Sequence, residues 1–137
     1  MRWTPEHSVF VPEIDLQHQE VFALAAELRT AVTAGEVGAR LDALQRRLAV
    51  VIGSHLAHEE RLMRSAGYPS REWHERQHQT ARAKLAALNQ SVEGGDHQET
   101  FEALEALAGW LRDHTSIADR MVGAYLRNHQ RATAVIR

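Results

Sequence analysis

Along this chain of 137 residues, apolar side chains recur every three or four positions in four stretches separated by turns rich in glycine or proline. That spacing keeps one face of a helix dry. The first stretch covers about 15–34, with Leu16, Phe22, Leu24 and Leu28 among its apolar positions, Asp15 as its cap and Gly35 as its stop. The second begins at Val37 or Ala39 and reaches Ser65, carrying Leu41, Leu44, Leu48, Val51, Ile52, Leu56, Leu62 and Met63. Ala66-Gly67-Tyr68-Pro69 ends it. Ser70 then caps a third helix with Trp73 just inside its start, running to Leu88 or Val92. Gly94-Gly95 interrupts the chain again, and Asp96 caps a fourth helix through Phe101, Leu104, Leu107, Trp110 and Leu111, with Val122, Tyr125 and Leu126 continuing an amphipathic extension. Short turns between such helices predict an all-α, up-down-up-down four-helix bundle. It is a single domain over 1–137: an irregular arm over 1–13, a helical bundle over about 14–126 and a polar, basic tail over 127–137. In the arm, Pro5 and Pro12 oppose continuous helix, which leaves Trp3, Val9, Phe10 and Val11 to lie over the bundle as a lid.

The apolar stripes are interrupted by acids and histidines. His18 has Ile14 and Phe22 one turn to either side, His55 follows Val51 and Ile52, Glu59 precedes Leu62 and Met63, and His114 follows Trp110 and Leu111. An unpartnered histidine or glutamate in such surroundings is costly. His55 with Glu59, and His74 with His78, are four residues apart, so each pair lies about 40° apart on its helix and one turn along it. One such pair is ordinary on a helix surface. The full set is not ordinary, because it comes from four separate helices and a bundle gathers inward side chains at its centre. His114 and Asp119 are five apart, which on a regular helix turns them about 140° from each other. For both to face the centre, the backbone must take a π-bulge, or break and restart, within 115–118. His7, His58, His97 and His129 lack a comparable set of partners and are expected on the surface; His58 and Glu60, each about 100° from Glu59, should face away from the site. Arg46 and Arg47 read as a solvated face, and Trp3 and Trp73 as core or rim residues.

Composition narrows the chemistry. A chain that is 44% apolar and 25% charged, with a net charge of -2, is neither disordered nor equipped to grip nucleic acid. It has no cysteine, so the metal donors must be imidazole and carboxylate, a choice that suits iron, manganese or zinc. The first residues lack a secretion signal and no stretch reaches the roughly 18 apolar residues of a membrane span, so a cytoplasmic protein without membrane attachment is expected. Two octahedral ions sharing five imidazoles, two bridging carboxylates and a solvent-derived oxo or hydroxo bridge would have all but one position filled. The odd histidine count puts three imidazoles on one ion and two, plus the vacancy, on the other. Two iron(II) ions can lend two electrons to dioxygen and take them back, so the expectation is reversible oxygen binding without haem. Ile14, Phe22, Leu62, Trp110 and Leu111 are expected to keep water from the bound gas.

These motifs resemble those of the hemerythrin family, and among its members the bacterial single-domain proteins. The resemblance rests on Ile14-Asp15-Leu16-Gln17-His18, His55-Leu56-Ala57-His58-Glu59-Glu60-Arg61-Leu62-Met63, Gly67-Tyr68-Pro69, His74-x-x-x-His78 and Trp110-Leu111-x-x-His114-x-x-x-x-Asp119. It implies that one iron takes His74, His78 and His114, that the other takes His18 and His55, and that Glu59 and Asp119 bridge them. The open position then belongs to the second iron. It also implies dioxygen as the ligand, with nitric oxide or small anions such as azide as further candidates, and a monomer that binds oxygen for storage, delivery or scavenging and is not an enzyme. The alternatives are an oxygen or redox sensor acting through a partner protein, a di-iron reductase of peroxide or nitric oxide, and a structural bundle holding zinc. One residue departs from the family pattern. Members usually have isoleucine directly after the last histidine, at the oxygen pocket, and this chain has Thr115, a smaller and hydroxyl-bearing wall.

Overall fold

The computed structural model describes the backbone over residues 2–136 and side chains over 2–130. A 3₁₀ turn at Pro5–His7 leads into α1 (Pro12–Thr33), α2 (Ala39–Ala66), α3 (Arg71–Gly94) and α4 (His97–His114); a π-helical turn at Thr115–Asp119 then joins α4 to α5 (Arg120–Ile136). Among the described residues there is no strand. α1 packs on α2 and α4, and α3 packs on α2 and α4, which closes the four-helix bundle that the periodicity predicts. α5 packs on α2, and the Tyr125 hydroxyl donates to Ala66 O at 3.0 Å. The 127–137 stretch, expected as a polar tail, is helical as far as Ile136. Its side chains beyond 130 lie outside those described.

The turns follow their local chemistry. At the end of α2, Gly67 adopts φ 67° and lets Tyr68 N–H return to Met63 O at 2.9 Å, satisfying a carbonyl left over by the helix end. Asp96 caps α4 as expected, accepting from Glu99 N at 2.9 Å. Two expected caps behave otherwise. α1 starts at Pro12 instead of at Asp15, because proline at the first position of a helix gives up only an N–H that has no partner there. Asp15, now inside the first turn, holds the arm by accepting from Val9 N (2.8 Å) and Ser8 Oγ (2.6 Å). Ser70 occupies the position before α3, but its side chain makes no capping bond.

The arm is a packed strap. Val9 and Val11 are buried, Arg127 and Arg120 donate to Val9 O and Glu6 O, and a Cβ at Gly123 would collide with Val9 O. Glycine at 123 is therefore what lets the arm lie against α5. Phe10 departs from the expected lid: it is 63% exposed, stands at φ 60° and lies under the Arg127 guanidinium at 5.3 Å. His7 departs from the expected surface position, since it accepts from Thr4 N at 3.0 Å and packs edge-on against Phe22.

Two apolar cores result. The larger includes Phe22, Leu28, Leu48, Ile52, Leu56, Leu88, Leu107 and Leu111, and the smaller gathers Val9, Val11, Ile14, Met63, Tyr68, Val122 and Leu126. In sequence, His18 falls between Ile14 and Phe22, His55 and Glu59 between Ile52 and Met63, and His114 and Asp119 between Leu111 and Val122. A polar layer thus crosses the bundle with dry packing on both sides.

Candidate metal centre

Each helix of the bundle delivers to that layer. α1 contributes His18, α2 His55 and Glu59, α3 His74 and His78, and α4 with the following π-helical turn His114 and Asp119; none of the seven is more than 6% exposed. The π-helical turn falls where the five-residue spacing requires it. The wider turn brings Asp119 back to the face of His114, with His114 Nε2 and Asp119 Oδ1 2.9 Å apart. The donor atoms form two overlapping groups, Glu59-His74-His78-His114-Asp119 and His18-His55-Glu59-Asp119, within each of which all atoms lie within 4.8 Å of one another.

The carboxylates divide their oxygens between these groups. Glu59 turns Oε1 to His74 Nε2 and to His78 Nε2 (3.2 Å), and Oε2 to His55 Nε2 (3.5 Å). Asp119 turns Oδ1 to His74 and His114 (3.0 and 2.9 Å) and Oδ2 to His18 and His55 (3.0 and 3.9 Å). Proximity here does not mean satisfaction. His78 Nε2, His114 Nε2, Glu59 Oε2 and both Asp119 oxygens are buried without a hydrogen-bond partner among the described residues. Buried polar atoms are normally paired, so five such atoms aimed at one small volume fit metal ions better than they fit one another. The charges agree. Burial alone would raise the pKa values of Glu59 and Asp119, yet the surrounding imidazoles outweigh it and hold both carboxyls below their ordinary range, Asp119 well below. Burial opposes a charged His74, but Asp119 and Glu59 prevail and push it up to about 9; His55 is raised for the same reason.

Behind the imidazoles stands an outer set that the sequence reading missed. His55 Nδ1 donates to Gln17 Oε1 (2.7 Å), His78 Nδ1 to Glu60 Oε2 (2.8 Å) and His114 Nδ1 to Gln77 Oε1 (2.8 Å). Each partner is the chain neighbour of a residue in the cluster and reaches to the next helix: Gln17 before His18, Glu60 after Glu59, Gln77 before His78. The helices alternate in direction, so one step back on an up helix and one step forward on a down helix rotate the same way around the bundle. The expectation that Glu60 faces away is correct for the centre itself and incomplete beyond it. Its 100° offset is what aims it at the back of His78, where Arg82 also donates to it at 2.9 Å. The same step on α4 lands on Thr115. Trp110 supports His114 differently, by stacking on its ring at 4.3 Å.

A small cavity of about 10 Å³ reaches four residues of the cluster and has room for a single small molecule. His18, His55, His114 and Asp119 reach it, and Val21, Phe22, Ile52, Leu56, Trp110, Leu111 and Thr115 complete its wall. His74 and His78 do not line it. Of the residues expected around a bound gas, Phe22, Trp110, Leu111 and Thr115 are therefore present. Ile14 and Leu62 are not among its walls; both belong to the smaller core on the opposite side of the polar layer.

Among the described residues no helix is long and apolar enough to cross a membrane. A search of solved structures gives no significant match. The sequence is 25% identical to "Bacteriohemerythrin" of Stenotrophomonas maltophilia (strain R551-3) over 127 residues, 93% of this chain and 82% of that protein. Residues 9–126 match the family described as "Hemerythrin HHE cation binding domain", a span that begins in the strap, includes all seven clustered donors and ends in α5. The chain belongs to the hemerythrin family.

Proposed function

We propose that this protein binds dioxygen reversibly at a non-haem di-iron centre, serving oxygen storage, delivery or scavenging. In this reading His74, His78 and His114 hold one ion, His18 and His55 hold the other, and Glu59 and Asp119 bridge them. The observation that carries it is the division of each carboxylate's oxygens between a three-imidazole and a two-imidazole group. What such a pair of ions supplies when bound is the loan of two electrons to dioxygen and their recovery on its release.

The chain's own residues do the rest. Glu59 and Asp119 bring only two negative charges, and the remaining donors are neutral imidazoles, so the set favours modest oxidation states over the highly oxidised ones that carboxylate-rich sites stabilise. Phe22, Trp110 and Leu111 exclude bulk water from the cavity, which limits loss of the bound gas by protonation. Of the five imidazoles the cavity meets His18 and His55 and, from the other group, His114 but neither His74 nor His78, which supports a vacancy on the two-imidazole side. The test is anaerobic loading with iron(II) followed by repeated addition and removal of oxygen. Absorption bands that appear and vanish over several cycles are expected; permanent oxidation in the first cycle, or a chain that takes up no iron, would contradict the proposal.

A further inference from the structure

Three of the five imidazoles pass their outward N–H to a neighbouring helix, and the acceptors are not equivalent. His55 and His114 meet neutral amides, those of Gln17 and Gln77, whereas His78 meets the carboxylate of Glu60 at 2.8 Å. The outward nitrogens of His18 and His74 have no partner among the described residues. Glu60 is itself constrained: Arg82 stands one turn after His78 on α3 and donates to the same Oε2 at 2.9 Å. Imidazole N–H and guanidinium thus share one carboxylate oxygen, on a side chain 16% exposed between α2 and α3.

We propose that Glu60, gripped by Arg82, is a positioning residue that makes His78 the most electron-rich imidazole of the centre and so makes the three-imidazole half the more tightly held and more readily oxidised position. The inference rests on the di-iron reading above. A carboxylate accepting from one imidazole nitrogen fixes the ring's tautomer and raises the basicity of the other nitrogen, and it does so more strongly than an amide oxygen can. Arg82 works in two directions: it orients Glu60 and withdraws part of its charge. The two residues therefore have opposite electronic effects on His78, although removing either would loosen the same packing.

That opposition supplies the test, on the full chain with zinc(II) and iron as probes. Glu60→Gln keeps an acceptor oxygen and removes the charge; Arg82→Gln removes the cation from a side chain 35% exposed, where folding is not at stake. In the zinc-loaded protein, Glu60→Gln moves the His78 Nδ1–H proton resonance upfield while those of His55 and His114 stay in place. Zinc affinity falls about tenfold, the lower end of what the loss of such partners costs. In the iron-loaded protein, Glu60→Gln raises the reduction potential and Arg82→Gln lowers it, a tenfold change in preference for the oxidised ion being about 59 mV for one electron. Potentials that shift in the same direction, or not at all, overturn the proposal, as does an unmoved His78 proton. Zinc stoichiometry separates the two levels. Two ions per wild-type chain with no effect at Glu60 refute this inference alone, while fewer than two refute the di-iron reading with it.

Discussion

The two halves of the centre share their carboxylates and differ in nearly everything else. His74 and His78 are fully buried on one helix, away from the cavity, with Glu60 behind His78 and Gln77 behind His114. His18 and His55 come from two helices, have Gln17 as their one outward partner among the described residues, and face a space for one small molecule. In this account the first half is built to hold an ion and the second to leave one accessible. A bundle can do both in one layer because each helix sets the depth of its donors separately.

Removing a donor gives the largest test of that division. In the proposed reading Asp119 bridges both ions, so for Asp119→Asn metal analysis should show both ions lost, with affinity down by 100-fold or more, on the order expected when a ligand and not merely its outer partner is altered. His18→Ala should instead leave about one ion per chain, held by the three-imidazole half. Equal losses from the two variants would erase the distinction between the halves. A smaller effect comes from the walls. Phe22→Ala and Ile14→Ala both truncate fully buried side chains and should each cost about 2–5 kcal/mol in denaturant unfolding. Only Phe22 lines the cavity, so only Phe22→Ala should speed loss of the oxygenated spectrum.

Acidity separates the metal-free protein from the loaded one. His74 is raised from 6.5 to about 9, so its contribution to stability is complete below pH 6.5 and is lost as the pH rises through about 9. Glu59 and Asp119 are lowered, so theirs is present above their ordinary values of 4.5 and 3.8 and is lost as the pH falls through the depressed ones. Thermal melts of metal-free protein should therefore peak between pH 4.5 and 6.5 and decline toward 9. Zinc-loaded protein should gain over the same upper range, because imidazoles must shed their protons to bind. Parallel profiles with and without zinc would argue that the cluster is not the ligand set. The smallest effect expected is at Thr115, 2% exposed on the cavity wall. Thr115→Ile fills space and removes a hydroxyl, and should slow autoxidation of the iron-loaded protein a few-fold; an unchanged or faster rate would show that this wall does not control access.

Much of this was legible in the residues. The helices announced themselves by spacing and by Gly35, Gly67 and Asp96, whose backbone or side-chain roles are local. The π-helical turn could be anticipated from His114 and Asp119 alone, since two inward donors five apart leave a regular helix no solution. What escaped were features that depend on which helix stands beside which. Gln17, Glu60 and Gln77 look like surface polar residues until their neighbours' histidines are placed, although their repeated position beside a cluster residue was a usable signal. Ile14 and Leu62 flank donors in sequence and so read as neighbours of the bound gas, whereas depth along the bundle puts them beyond the polar layer. Likewise Asp15 looked like a cap because its tie to Ser8 and Val9 is made by a strap whose path no periodicity reveals.

The most direct measurement is anomalous diffraction at the iron absorption edge from crystals of the reconstituted protein. The account predicts two peaks between Glu59 and Asp119, one among His74, His78 and His114, the other beside His18 and His55 and next to the cavity. A single peak, or density remote from the two carboxylates, would contradict it.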